Sequence, residues 1–227
     1  MKKLISVVLI LCTVNVFTIN AKSLEDIVAG AHRAEDNQER DQFRNPIETI
    51  QFFGTKPTDH VLEMWPGNGW YSEILAPYVK NKGKFTAVTF GTNNLGADDK
   101  RSAFWSKVAL NYQKKMSNQK LYNKVKFTEF DPPKQVKIAK NNSIDVAYLV
   151  RILHIWDEEG IMALGLQTLH KALKVGGVLA VVQHRGNQID DIGSSAVEGY
   201  LGERYVIEAA EKAGFKLVAS SDINANS

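Results

Sequence analysis

Cysteine occurs once in the 227 residues, at Cys12, inside an apolar run near the amino terminus. A chain that has lost that run has no cysteine at all, which excludes disulfides, thiolate nucleophiles and zinc–thiolate sites. Long hydrophobic runs are equally scarce. The only one extends from Leu4 to Phe17, broken by Ser6, Thr13 and Asn15, and is shorter than the roughly 20 residues that span a bilayer. It follows Lys2 and Lys3 and leads to Asn20, Ala21, Lys22 and Ser23, the basic, apolar, small-residue order of a cleaved secretory signal. A signal peptide over residues 1–21 is therefore expected, with no stable membrane anchor after cleavage and a periplasmic or secreted product. Leu11 precedes Cys12 where lipoprotein processing favours a small residue, which argues against lipidation. Neither sign of charge dominates either. Of the 28 basic residues, Lys2 and Lys3 leave with the signal, so 26 face 25 acidic ones, a balance that calls for neither nucleic acid nor an anionic membrane.

What remains suits one domain with a sizeable core. Residues 22–45 read as a helical lead segment, with Leu24, Ile27, Val28 and Ala31 at helix spacing before a charged stretch that belongs on the surface. From Pro46 a short helix runs to Phe53 and stops at Gly54, and Val61 to Met64 reads as the first strand. Helix and strand signals then alternate. Helices are expected over Ser72–Val79, Asp99–Met116, Asp157–Leu173 and Tyr200–Ala213, and strands over Lys84–Phe90, Val125–Phe130, Ile144–Val150, Val178–Gln183 and Lys216–Ser220. Short apolar strands separated by helices imply an α/β domain with a mostly parallel sheet covered on both faces. Lys134 to Asn142 is too polar for a helix assignment.

In such a sheet, ligands bind beyond the carboxyl ends of the strands, near the point where strand order reverses. The first strand runs into Glu63-Met64-Trp65-Pro66-Gly67-Asn68-Gly69-Trp70-Tyr71 with a helix just after, so two glycines and a helix amino terminus stand where a ligand would sit. A tight turn without a ligand has the same composition. A second polar cluster follows the fourth and fifth strands: Arg151, His154 and Trp156, then His184 and Arg185. A histidine there could take a proton at neutral pH, and Arg151 or Arg185 could hold a carboxylate or phosphate by two hydrogen bonds. The same residues admit structural roles, with His154 on a loop carbonyl, Trp156 packed, and the arginines on Glu158, Glu159 or Asp190. His32, His60 and His170 read as solvent or packing residues. Asp157-Glu158-Glu159 reads as an acidic first helical turn, and no arrangement has dedicated metal-ligand spacing, so no metal is expected.

Val61-Leu62-Glu63, Pro66-Gly67-Asn68-Gly69 and the late Leu173-Lys174-Val175-Gly176-Gly177-Val178-Leu179 resemble the first and late motifs of class I S-adenosylmethionine-dependent methyltransferases. Arg44-Asn45-Pro46-Ile47-Glu48-Thr49, Phe52-Phe53-Gly54, Trp70 to Pro77, His184-Arg185 and Ile223-Asn224-Ala225-Asn226 resemble the recurring words of an exported subgroup of predicted methyltransferases. The resemblance spans about Asn45 to Asn226 and implies a Rossmann-like sheet over residues 46–227. It implies S-adenosylmethionine held over Glu63, Trp65, Pro66, Gly67, Asn68, Gly69 and Tyr71, with Thr89 at the ribose and Asp131 at the adenine amine. The acceptor, a small molecule or an exported partner, would approach past Arg151, His154, His184 and Arg185. Two positions depart from the broad class. Trp65 replaces the first glycine of the turn, which would put an indole where the cofactor lies, and Thr89 replaces the ribose-binding acid with an uncharged hydroxyl. An alternative is a non-catalytic ligand-binding protein on this fold, with Trp65, Trp70 and Tyr71 as a stacking surface. The resemblance further implies a seventh, antiparallel strand after the sixth. The chain stops at Ser227 without one, so a shortened relative with an exposed sheet edge is expected.

Overall fold

The computed structural model describes residues 22–117, 119–186 and 196–225. The expected signal peptide, Asp190 and Asn226 lie outside the described residues. The chain begins with α1 (Leu24–Val28), capped by Ser23 whose hydroxyl accepts from the Asp26 amide while Asp26 accepts from the Ser23 amide, and α2 (Glu35–Gln38). Then come α3 (Pro46–Phe52), β1 (His60–Met64), α4 (Ser72–Val79), β2 (Lys84–Thr89), α5 (Lys100–Lys115), α6 (Gln119–Tyr122) and β3 (Lys126–Glu129). The second half holds β4 (Ile144–Val150), α7 (Leu153–Glu158), α8 (Met162–Ala172), β5 (Leu173–Val182), β6 (His184–Arg185), β7 (Tyr200–Leu201) and α9 (Glu203–Lys212).

Five strands form one sheet in the order β3-β2-β1-β4-β5, every neighbouring pair parallel. Parallel neighbours need crossovers, which α4, α5 with α6, and α7 with α8 supply. The chain from β3 to β4 crosses back over β1 without a helix, as the polar composition of Lys134 to Asn142 implies, and strand order reverses there. Alternate residues of β1, β2 and β4 feed separate cores. Leu62, Met64, Ala147 and Leu149 pack with Trp156, Leu166 and Leu169 on one face, while Val61, Val146 and Tyr148 pack with Ile74, Leu75 and Phe85 on the other. That burial on both faces is what keeps the strands apolar in sequence. The lead segment is not a purely surface element: Leu24 and Ile27 enter the second core, and Arg33 is only 3 % exposed.

Two expectations are corrected. The single helix over Asp157–Leu173 is two, α7 and α8, because Gly160 takes φ 67 and breaks the spiral. Lys216–Ser220 is not a strand; the segment has no regular structure, Val218 is 94 % exposed, and β5 is the sheet's edge among the described residues. The residues just beyond it are fastened elsewhere. Asn45 Nδ2 donates to the Ile223 carbonyl at 2.7 Å and Asn224 Nδ2 to Thr49 Oγ1 at 3.2 Å, so the tail is tied to α3. Among the described residues no helix is long and apolar enough to cross a membrane.

Candidate functional site

The turn after β1 has left-handed backbone at alternate positions: Trp65 at φ 43, Gly67 at 57 and Gly69 at 78. A side chain in that region costs roughly 1–2 kcal/mol, so Trp65 must be held by its contacts. Its amide donates to the Val88 carbonyl at 2.7 Å and its indole Nε1 to the Phe130 carbonyl at 3.1 Å. The ring stacks on Phe90 at 3.9 Å and meets Trp156 edge-on. At 4 % exposure it is folded into the core and leaves the turn's outer side clear. A Cβ built on Gly67 meets nothing within 4 Å. Among the described residues no hydrogen bond engages the Gly67 or Asn68 amide, which leaves two donors in the turn that precedes α4.

Glu63 lies beneath this turn. Its carboxylate accepts from the Ser72 hydroxyl, which lies 2.8 Å from the Tyr112 hydroxyl, and burial pushes its pKa from 4.5 up to about 8. It braces the start of α4. Tyr71 is also buried, against Trp70 and Tyr148. A second buried acid, Glu73, ties the turn to the lead segment. It takes Lys115 Nζ at 2.6 Å and Asn37 Nδ2 at 2.9 Å, while Trp70 Nε1 donates to the Asn37 carbonyl at 2.7 Å.

At the end of β2, Thr89 is 1 % exposed, with its hydroxyl between the Thr128 carbonyl and Gln113, both at 3.4 Å. The carboxylates in this region belong to the end of β3. Glu129 accepts from Thr92 Oγ1 at 2.5 Å, and Asp131 lies 3.4 Å from Asn94 Nδ2 and exchanges backbone hydrogen bonds with Gln135. Sequence reasoning passed over Glu129, which the β2–β3 register places directly beside Thr89.

The structure gathers Arg151, His154 and His184 at the carboxyl ends of β4 and β5, close enough for their charges to interact. Gln183 links His154 Nδ1, at 3.4 Å, to the Gly199 carbonyl, at 2.8 Å. Burial lowers the pKa of both histidines below 6.5, and Arg151 lowers each further. Arg185 does not join them, since it pairs with Glu203 at 3.0 Å and Asp222 at 2.9 Å. Trp156 packs in the core. The pairing expected of the arginines with Glu158 and Glu159 is made by Arg101 instead, at 2.8 and 3.2 Å. Two further residues, Arg40 and Arg44, come to this corner from the lead segment. The word Arg44-Asn45-Pro46 was the trace of Arg44 in the sequence.

A groove of about 420 Å³ lies at the opposite end of the strands, lined by Lys84, Phe85, Tyr122 and Val125, far from these residues. A smaller hollow of about 200 Å³ adjoins the turn, between Asn68, Asn111, Tyr112 and Lys115. Among the described residues no three His, Asp or Glu side chains converge as metal ligands.

No sequence-family profile matches the chain, and no curated protein matches it. Solved structures do. An S-adenosylmethionine-dependent methyltransferase from Aquifex aeolicus superposes with a TM-score of 0.60 at 20 % identity, covering 80 % of this chain and 85 % of its own. The chain has the Rossmann-like methyltransferase fold. The cyclase SpnF superposes at 0.59 with 15 % identity over 86 % of this chain and 70 % of its own. The O-methyltransferase NcsB1, solved with S-adenosylhomocysteine and a dihydroxynaphthoic acid, superposes at 0.52 with 14 % identity over 79 % of this chain and 50 % of its own. The resemblance read from the sequence puts S-adenosylmethionine at the β1 turn, where the clear side of Gly67, the two unengaged amides and the inward Trp65 leave room for a nucleoside carrying an amino-acid tail. Thr89, expected at the ribose, is 1 % exposed, and Glu129 is its partner in the β2–β3 register.

Proposed function

We propose that this chain is an exported S-adenosylmethionine-dependent methyltransferase acting on a small-molecule or exported acceptor. The observation that carries the proposal is the open turn at Gly67, at the carboxyl end of β1 beside the reversal of strand order in a methyltransferase fold. Export is supported by the order of basic, apolar and small residues from Lys2 to Ala21. When bound, S-adenosylmethionine supplies an electrophilic methyl group. The Gly67 and Asn68 amides hold the ligand's polar end, and Lys115, at 2.8 Å from the Asn68 carbonyl, fixes the turn from the side. His154 and His184 are held neutral at pH 7 by burial and the neighbouring arginine, so either can accept the proton an acceptor hydroxyl or amine gives up. Alignment of acceptor and methyl group accounts for the remainder of the rate.

A second reading is a ligand-binding protein on the same fold. The buried Thr89 favours it. Incubation of the purified chain with methyl-labelled S-adenosylmethionine and a small-molecule extract separates the two. Label in an acceptor, with one S-adenosylhomocysteine released per transfer, is the outcome of the first reading. Cofactor binding without any release is the outcome of the second.

A further inference from the structure

We propose that Gln183 is a positioning residue that holds His154 in one tautomer, with the ring proton on Nε2 and the Nδ1 lone pair engaged, so that His154 meets a ligand as a hydrogen-bond donor and not as a base. The proposal deepens the methyltransferase reading by narrowing its choice of base, and rests on that reading only there; the tautomer follows from hydrogen-bond geometry.

Gln183 stands just past the end of β5 and His154 in the first turn of α7, and both side chains are half-buried. The two ends of a glutamine amide have nearly the same shape, but here the surroundings decide between them. The Gly199 backbone carbonyl lies 2.8 Å from one end, and a carbonyl can only accept, so that end is the amide nitrogen. The same nitrogen lies 3.4 Å from His154 Nδ1. Its two hydrogens thus serve two acceptors. At 3.4 Å the bond to the ring is weak, but its sign is what matters. A lone pair on Nδ1 attracts the amide hydrogen, whereas an N–H there would meet it head-on. A neutral imidazole with its lone pair on Nδ1 carries its proton on Nε2.

An orphaned atom supports this orientation. Gln183 Oε1 is buried and has no hydrogen-bond partner among the described residues. Buried acceptors are rarely left so. Turning the amide over would not relieve it, because the oxygen would then face the Gly199 carbonyl oxygen. The amide leaves its acceptor unused and keeps both hydrogens engaged.

The other ring nitrogen is left uncovered. Gly199 sits at φ 89, a region open to glycine, and a Cβ built there would lie 3.9 Å from His154 Nε2. The proton-bearing edge of the ring therefore has backbone without a side chain beside it, and Nε2 has no hydrogen-bond partner among the described residues. To take a proton at Nδ1, His154 would have to turn the Gln183 amide away and break its bond to Gly199. Burial and Arg151, which lower the pKa of His154, disfavour the doubly protonated ring as well. Neutrality alone suits both histidines as bases. The Gln183 bond removes His154 from that choice and leaves His184, which is exposed and has no ring hydrogen bond among the described residues.

The test reads ring-nitrogen chemical shifts by NMR on the purified chain, isotope-labelled at histidine, at pH 8. His60 supplies an internal reference of opposite sense. Its Nδ1 lies 3.0 Å from the Ser143 carbonyl and its Nε2 2.9 Å from the Thr86 hydroxyl, so its proton belongs on Nδ1. One spectrum should show Nε2 protonated in His154 and Nδ1 protonated in His60, with the signals assigned by their loss in His154→Asn and His60→Asn. Gln183→Met keeps the side chain's length and removes both donors, so the His154 shifts should move to the average of two exchanging tautomers. Gln183→Glu places an acceptor beside Nδ1 and should draw the proton there. His60, at the opposite end of the strands, should be unaltered in both. A proton on Nδ1 of His154 in the unsubstituted chain, or His154 shifts that neither Gln183 substitution moves, overturns the proposal. Methyl transfer is scored separately, by the labelled incubation above. If His154 is protonated on Nε2 and no transfer occurs, Gln183 keeps its role and the methyltransferase reading fails. If transfer occurs in a chain whose His154 is protonated on Nδ1, that reading stands and the role of Gln183 fails.

Discussion

Glu63→Gln should make the protein more stable, and more so as pH rises. Glu63 is 2 % exposed, and burial is the leading cause of its raised pKa, opposed by the Ser72 hydrogen bond and by Lys115. A carboxyl whose pKa is higher in the folded than in the unfolded chain contributes stability that is fully present below about pH 4.5 and lost as pH rises through about 8. The gap between 4.5 and about 8, at about 1.4 kcal/mol for each tenfold change, is on the order of 5 kcal/mol once the group is ionised in both states. At pH 7 the folded group is still mostly protonated while the unfolded one is ionised, so about 3 kcal/mol has been lost. Glutamine keeps the shape, accepts from Ser72 and has no proton to lose. The two proteins should therefore be equally stable near pH 4.5. By pH 7 they should differ by about 3 kcal/mol, or on the order of 10 °C in melting temperature for a domain of this size. Denaturant unfolding from pH 4.5 to 9 reads the difference directly. Parallel profiles for the two proteins would refute the claim that Glu63 is buried without adequate compensation.

Gly67→Val should keep the fold at a cost of roughly 1–2 kcal/mol, since the position is open but left-handed, and should abolish the thermal shift by S-adenosylhomocysteine. At about 100 times its dissociation constant the ligand should stabilise the unsubstituted protein by roughly 2.7 kcal/mol, several degrees by scanning calorimetry; an equal shift in the variant would remove the turn from the site. Thr89→Asp should destabilise rather than rescue ribose binding, because the new carboxylate is buried and lies beside Glu129 in the β2–β3 register. A loss of about 3 kcal/mol or more in chemical denaturation is expected, and a variant that is unaltered in stability but binds cofactor more tightly would show that Thr89 faces the ligand after all.

Local pattern and global pairing were legible in the sequence to different degrees. The apolar runs of β1, β2 and β4 and the stop at Gly54 could be read because each depends on neighbours in sequence. The position of the glycine turn at the strand-order reversal followed from alternation of strands and helices. Lys216–Ser220 could not be settled in that way. Leu217 and Val218 suit a strand, but a strand needs a partner, and the anchoring of Ile223 and Asn224 to Asn45 and Thr49 is a contact across the whole chain. Gly160 falls inside the helix read over Asp157–Leu173, yet it divides α7 from α8. At Trp65 composition suggested an obstruction, whereas the backbone conformation turns the indole into the core against Phe90.

The central claim, that the Gly67 turn holds S-adenosylmethionine, is tested most directly by titrating S-adenosylhomocysteine into the purified chain in a calorimeter. One saturable site is predicted, lost in Gly67→Val while that variant still unfolds cooperatively. No heat at millimolar ligand, from a protein that melts as a folded domain, would contradict it.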